Sequence, residues 1–173
     1  LTIDQTDVDI AFLGTDSTYM HVDLEDVVQP DNRISIEFKY TFDYWDVDRL
    51  AVLNDSYYIT MFFYPFVPVY DEDGWNIEPF SFAGESYFNT IGDYYVTLNV
   101  PEDYQVATSG KLTNSKITKN RLELHYEILD ARDFSFSAYD QYNVYEREVD
   151  SRMYSIYAID ELSASLQNQY FDY

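Results

Sequence analysis

The chain has 173 residues, enough for one domain with a hydrophobic core and short for two. It carries 32 Asp and Glu against 10 Lys and Arg, and this net charge of −22 excludes nucleic acid and anionic membranes as natural partners. Cysteine is absent, so disulfides, thiol catalysis and cysteine-ligated zinc are excluded. Aromatic residues make up 19%, which favours β-sheets.

Apolar and polar residues alternate along four segments, as in antiparallel strands that bury one face. In chain order the expected buried-face residues are Met20, Val22, Leu24; Ile34, Ile36, Phe38, Tyr40, Phe42; Val96, Leu98, Val100; and Leu122, Leu124, Tyr126, Ile128. Turn signals separate the strands at 13–16, 29–32, 73–74, 83–84, 101–103 and 109–110. The pattern predicts an all-β fold, an antiparallel β-sandwich, with a short C-terminal helix.

The segment from Tyr57 to Trp75 combines strand-forming residues with two prolines. Proline lacks the N–H that a central strand needs, so these residues do not fit inside a paired ladder. We therefore predict a buried strand from Tyr57 to Phe63 that leaves its sheet at Pro65. A turn at Asp73-Gly74 then places Trp75 on the surface or in a groove.

The C-terminal residues show a helical pattern. Asp160 is the expected N-cap, and Leu162, Leu166 and Tyr170 recur at four-residue spacing. We predict a β-sandwich domain over 1–158 and a connecting helix over 159–173. Because the chain starts at Leu1 without an initiator methionine, we expect a fragment cut from a longer protein.

Motifs of known catalytic chemistry are missing from the sequence. It contains no Gly-x-Ser-x-Gly, no P-loop and no His-Glu-x-x-His, and its two histidines, His21 and His125, lie far apart on polar strand faces. We therefore predict no catalytic, cofactor-binding or metal-binding residue. Three acidic turns (7–9, 46–48 and 71–73) lack the complete calcium-loop pattern, so solvated turns are favoured over calcium sites.

Aromatic residues crowd around the prolines, where they lie outside the alternating strands. They suggest a sugar-binding platform or a binding interface, while core packing and a surface loop are the alternatives. The candidate residues are Tyr64, Pro65, Phe66, Tyr70, Asp71, Trp75 and Glu78.

This region resembles part of the N-terminal domain of bacterial zinc aminopeptidases of the aminopeptidase N family. The residues that carry the resemblance are Tyr64-Pro-x-x-Pro-Val-Tyr70-Asp71-x-Asp-Gly-Trp75-Asn-x-Glu-Pro79, Gly84-Glu85-Ser86-x-Phe88, and the segments 93–110, 131–136 and 29–38. The resemblance covers roughly residues 20–158. It implies a twisted, saddle-like β-sandwich that precedes a thermolysin-like catalytic domain.

The resemblance also implies a function for the whole protein. Zinc is expected in an absent downstream catalytic domain, which would be this domain's partner, and a peptide would be the substrate. The loop from Pro65 to Pro79 would form one wall of the substrate cleft. No catalytic residue carries over, because the family's Gly-x-Met-Glu-Asn motif is missing: Met20, Met61 and Met153 are not followed by Glu-Asn. The family's first strands, expected upstream of Leu1, are missing as well, so the edge left unpaired favours self-association. The absence of cysteine is common in extracytoplasmic bacterial proteins and also in cytoplasmic ones, and we expect an extracytoplasmic or cell-surface location.

Two alternatives stay open. One is an extracellular β-sandwich that binds a glycan or a protein through the aromatic patch. The other is a cell-surface sandwich stabilised by calcium.

Overall fold

The computed structural model describes residues 1–14, 19–24, 26–43, 50–53, 56–77 and 88–172. The chain is all-β, with several antiparallel sheets and one short C-terminal helix, as predicted. The strands are β1 (Thr2–Ile3), β2 (Thr6–Asp7), β3 (Ala11–Leu13), β4 (Tyr19–His21), β5 (Ile36–Glu37), β6 (Leu50–Leu53), β7 (Tyr57–Thr60), β8 (Tyr70–Asp71), β9 (Gly74–Trp75), β10 (Gly92–Pro101), β11 (Gln105–Thr108), β12 (Lys111–Thr118), β13 (Arg121–Ala131), β14 (Phe136–Tyr139), β15 (Asn143–Val149) and β16 (Arg152–Ala158). The helix, α1, spans Ala164–Phe171.

The chain divides into two compact units. The first comprises Leu1–Asp43 and Tyr64–Thr90, and the second comprises Tyr44–Phe63 and Ile91–Tyr173.

Within the described residues, the second unit contains three sheets, with the strand orders β10-β13-β12, β11-β14-β7-β6 and β15-β16. The first two share one hydrophobic core, which is a sandwich-like arrangement. The buried cluster consists of Val106, Leu124, Tyr126, Phe134 and Ala138. The alternation predicted for β10 and β13 is confirmed, because their expected buried-face residues either belong to this cluster or pack against it.

Strand β7 is shorter than predicted. It ends at Thr60, and Phe62 has a φ of +52°. A bulky residue seldom adopts this left-handed conformation, which cannot continue a β-ladder. The predicted boundaries were therefore wrong: the chain leaves the sheet before Phe62, ahead of the first proline at Pro65.

In the part of the chain that the structure describes, three hairpins close with two-residue loops in which both residues have positive φ. The loops are Asp4-Gln5 (47° and 69°), Lys119-Asn120 (51° and 61°) and Asp150-Ser151 (50° and 63°). Positive φ at both positions is the property of type I′ turns, which match the twist of the flanking strands. None of the three contains glycine, although Asp, Asn and Ser also favour turns, and we predicted no turn at these positions.

The described residues of the first unit form three small sheets, β2-β1-β5, β3-β4 and β8-β9. The long strand predicted over 34–42 was wrong, since only Ile36 and Glu37 form a strand. Their partner strand β1 has two residues, and both are already paired with Ile36 and Glu37, so β1 cannot extend this strand. Tyr40 and Phe42, expected to be buried, are 45% and 40% exposed.

The turn predicted at 29–32 is confirmed. The Asn32 N–H donates to the Gln29 carbonyl oxygen at 3.1 Å, and Asp31 has a φ of +67°. Pro30 precedes it, and proline followed by a residue of positive φ is typical of a type II turn.

Helix α1 begins later than predicted. Its N-cap is Ser163, whose Oγ accepts a hydrogen bond from the Leu166 N–H, and not Asp160. The predicted apolar face of the helix (Leu162, Leu166 and Tyr170) was also wrong. The helix buries Phe171 instead, and Tyr170 is 59% exposed. The Arg147 guanidinium of β15 lies 4.5 Å from the centroid of the Phe171 ring, which holds the last turn of the helix against that strand.

Candidate functional site

The candidate site is the hairpin formed by β8 and β9, here called the aromatic hairpin (Tyr70–Trp75). Tyr70 pairs with Trp75 and Asp71 pairs with Gly74, so Glu72 and Asp73 form the loop. Gly74 has a φ of +104°, which favours glycine at this position. The turn predicted at Asp73-Gly74 is confirmed.

The side chain of Asp71 holds the hairpin in shape. Its Oδ1 accepts a hydrogen bond from the Asp73 N–H at 3.0 Å, and its Oδ2 accepts one from Asn76 Nδ2 at 2.9 Å. The Asn76 N–H donates to the Val69 carbonyl oxygen at 2.8 Å, directly beyond the last strand pair. Both oxygens of Asp71 thus bond within the hairpin, which makes it a positioning residue.

Tyr70 and Trp75 form an exposed aromatic pair. Their ring centroids are 4.9 Å apart with an interplanar angle of 66°. Tyr70 is 66% exposed and Trp75 is 55% exposed, so the predicted surface position of Trp75 is confirmed. Edge-to-face contact fixes the two rings relative to each other while leaving large apolar areas in solvent.

A shallow depression lies beside the pair. Its volume is about 300 Å³, and it is lined by Asp71, Asp73, Gly74, Trp75, Asn76 and Ile77. This is the lower end of the size range of small-molecule sites. Carboxylate, amide and indole groups together can bind hydroxyl or ammonium groups through hydrogen bonds and ring contacts.

The other predicted site residues lie outside the aromatic hairpin. Tyr64 and Pro65 are half-buried, and Phe66 is 36% exposed. None of the three lines the depression. Glu78 lies outside the described residues.

Within the described ranges, no three His, Asp or Glu side chains gather into a group that could hold a metal ion. In the acidic turn at 71–73, both oxygens of Asp71 bond within the hairpin, as shown above. The turn at 46–48 lies outside the described residues. In the same ranges, no helix is long and apolar enough to cross a membrane.

Both histidines lie on polar faces, as predicted. His21 is exposed, with Nε2 3.8 Å from the Asp23 carboxylate. His125 lies on the outer face of β13, where Nε2 is 2.9 Å from Glu123 Oε1 and Nδ1 is 3.2 Å from Thr97 Oγ1.

Sequence reasoning missed a cluster of four tyrosines in the second unit: Tyr57, Tyr139, Tyr142 and Tyr157. Their rings meet edge to face at centroid distances of 5.4 to 5.7 Å. Tyr142 is 8% exposed and donates to Ser137 Oγ at 2.8 Å, and burial raises the pKa of its phenol. The four rings of this cluster pack against one another, whereas the two rings of the aromatic hairpin are more than half exposed to solvent.

Sequence reasoning also missed Asn76, which completes the hairpin. An Asp at the start of a turn is a common hydrogen-bond acceptor for the backbone two residues on, and this is the signal that Asp71 offers. The hydrogen bond from the Asn76 side chain to Asp71 joins residues five positions apart, and no local sequence pattern predicts it.

Comparisons of the chain with protein-family models, curated proteins and solved structures found no match.

Proposed function

We propose that the chain is a non-catalytic β-sandwich domain that packs against a downstream zinc aminopeptidase domain and helps to form its substrate cleft through the aromatic hairpin. In that arrangement the hairpin forms one wall of the peptide cleft, and the zinc and the catalytic residues belong to the downstream domain. The observation that carries this proposal is the exposed and internally braced Tyr70–Trp75 pair.

The energetic argument starts from the exposed area of the pair. Each of these side chains leaves roughly 100 Å² in solvent, and covering that area contributes on the order of 2.5 kcal/mol per ring. The hydrogen bonds of Asp71 already fix the hairpin, so little conformational entropy is lost when a partner covers it. An exposed pair of this kind therefore favours a binding role over a packing role.

Charge favours a peptide as the ligand of this wall. Glu72 and Asp73 lie in the loop beside the rings, in a chain of net charge −22. An ammonium group is attracted both to carboxylates and to aromatic faces. The free N-terminus or a lysine of a peptide supplies such a group.

The proposal is tested on the full-length protein with peptide substrates. We expect Tyr70→Ala and Trp75→Ala to raise KM about tenfold or more with little change in kcat, because they remove contacts made before the reaction. Tyr95→Ala is the matched control, since Tyr95 is 71% exposed on β10, outside the hairpin. An equal effect of all three variants would refute the cleft-wall role.

Two further results bear on the proposal. A downstream sequence without His-Glu-x-x-His would exclude the aminopeptidase assignment. The chain alone should not hydrolyse aminoacyl-anilides with or without zinc, and zinc-dependent turnover would show that it is not a non-catalytic domain.

A second candidate function is glycan binding. It is favoured by the indole of Trp75 lying beside Asp73 and Asn76 in the depression, since sugars stack on aromatic rings while carboxylates and amides bind their hydroxyls. A glycan array tests it. Binding that is lost in Trp75→Ala and retained in Tyr95→Ala supports this function, and an array without binding excludes it.

A further inference from the structure

Strand β12 (Lys111–Thr118) forms one edge of the three-stranded sheet in the second unit. Within the described part of the chain, it pairs with β13 on one side only. All eight of its residues are exposed. An unpaired edge of this length presents a row of backbone donors and acceptors that can pair with another strand.

The register with β13 gives β12 one apolar face. Leu112 lies opposite Tyr126, and Ile117 lies opposite Leu122. Opposite residues in an antiparallel pair share a face, and Tyr126 and Leu122 face the core. Leu112 and Ile117 are nevertheless 48% and 60% exposed, so this strip of the core-side face lies open.

A register shift between Leu112 and Asn114 makes that strip possible. Leu112 and Ile117 are five positions apart, and in a regular strand an odd separation would place them on opposite faces. The shift inserts one extra residue and brings them back to the same face.

The other face of β12 is basic. Lys111 lies opposite Glu127, and Lys116 lies opposite Glu123, on the outer side of the sheet. The segment from Lys111 to Asn120 contains no Asp or Glu, although the whole chain has 32. The strand is thus a local basic edge in a strongly acidic protein.

We propose that β12 is a docking edge for an extended acidic peptide segment, which joins this sheet as a fourth strand. The backbone of β12 supplies the ladder hydrogen bonds. Apolar side chains of the peptide cover Leu112 and Ile117, and its alternate carboxylates lie beside Lys111 and Lys116. The partner is therefore a segment in which apolar and acidic residues alternate.

A second copy of this chain is the less favourable occupant. Pairing of β12 with β12 would bring two sets of lysines together on one face, and like charges on neighbouring strands repel. Lysines on an edge strand repel other basic strands. They therefore favour an acidic partner over a basic one and also limit aggregation.

The test uses two labelled synthetic peptides of eight residues, matched to the length of β12. One alternates valine with glutamate, and the other alternates valine with lysine. Fluorescence anisotropy at low salt measures binding, and amide NMR shifts locate it. We expect the glutamate peptide to bind, to shift the amides of β12, and to weaken as salt is added.

Lys111→Gln combined with Lys116→Gln should weaken binding of the glutamate peptide about tenfold, because two charge pairs are lost. Lys39→Gln combined with Arg152→Gln is the matched control, since it changes the net charge equally at exposed residues outside β12. Circular dichroism confirms that both variants keep the fold.

Several results would overturn the proposal. They are equal binding of the two peptides, absence of binding by the glutamate peptide, or amide shifts outside β12. Dimerisation seen by sedimentation, with shifts in the same amides, would instead assign this edge to a second copy of the chain.

Discussion

Gly110 gives the sharpest stability prediction, because its lack of a side chain is required by packing. A Cβ at this position would lie 2.9 Å from Phe134 Cε2, 3.3 Å from Tyr126 Cβ and 3.4 Å from the Glu127 carbonyl oxygen. Phe134 is fully buried at 0% exposure and belongs to the core cluster, so its ring has little room to move.

The magnitude follows from two opposed effects. Overfilling a packed core costs about 1–3 kcal/mol. Replacing glycine by alanine restricts the unfolded chain, which stabilises the folded state by about 0.4–1 kcal/mol. We therefore expect Gly110→Ala to lower the free energy of unfolding by about 1–2 kcal/mol.

Urea denaturation measures this change, with an unchanged m value as the check that the transition keeps its character. Gly92→Ala is the matched control, because a Cβ at Gly92 meets no atom within 4 Å. That variant should be neutral or slightly stabilised. If Gly110→Ala were as stable as Gly92→Ala, the close approach to Phe134 would be refuted.

Three further predictions concern pH, a turn and the hairpin. Burial raises the pKa of Tyr126 to about 12, so the folded protein keeps this phenol neutral after the unfolded chain ionises near pH 10. The contribution of this group to stability should therefore be fully present below pH 10 and fall by about 3 kcal/mol between pH 10 and 12, and Tyr126→Phe should remove this part of the loss in alkaline unfolding curves. Ser151→Gly should stabilise the protein by about 0.5–1 kcal/mol in thermal unfolding, because Ser151 has a φ of +63°; no gain would argue against that conformation. Asp71→Ala should loosen the hairpin and reduce the near-ultraviolet circular dichroism of Trp75, whereas a spectrum identical to that of the native chain would show that the Asp71 bonds do not hold it.

The faces of β10 and β13 could be predicted because two long strands pair with each other over most of their length. Alternation then has a physical consequence, since each apolar residue meets the core. The segment 34–42 alternates equally well, yet it forms a strand only at Ile36 and Glu37. A sequence pattern shows which face a strand would bury, and it does not show how long a partner the strand will find.

Elsewhere, turns and strand ends were missed where the backbone adopts a conformation that the residue type does not indicate. Glycine and proline mark turns through their φ preferences, but the type I′ loop at Asp150-Ser151 uses neither. Phe62 adopts a positive φ that no local signal predicts for a phenylalanine. At Gly110 the turn signal was present, but the packing against Phe134 that gives this glycine its main role is a long-range property.

The candidate site shows the same division between local and long-range information. The turn at Asp73-Gly74 and the surface position of Trp75 followed from local chemistry, and both were confirmed. Composition could not distinguish Tyr70 from Tyr142, because both are tyrosines in irregularly patterned segments. Tyr142 is 8% exposed among other rings, whereas Tyr70 is 66% exposed on a hairpin braced by Asp71. Bracing matters because an unbraced loop could fold its aromatic rings inward and cover their apolar area, whereas this hairpin holds them in solvent, as binding to a partner requires.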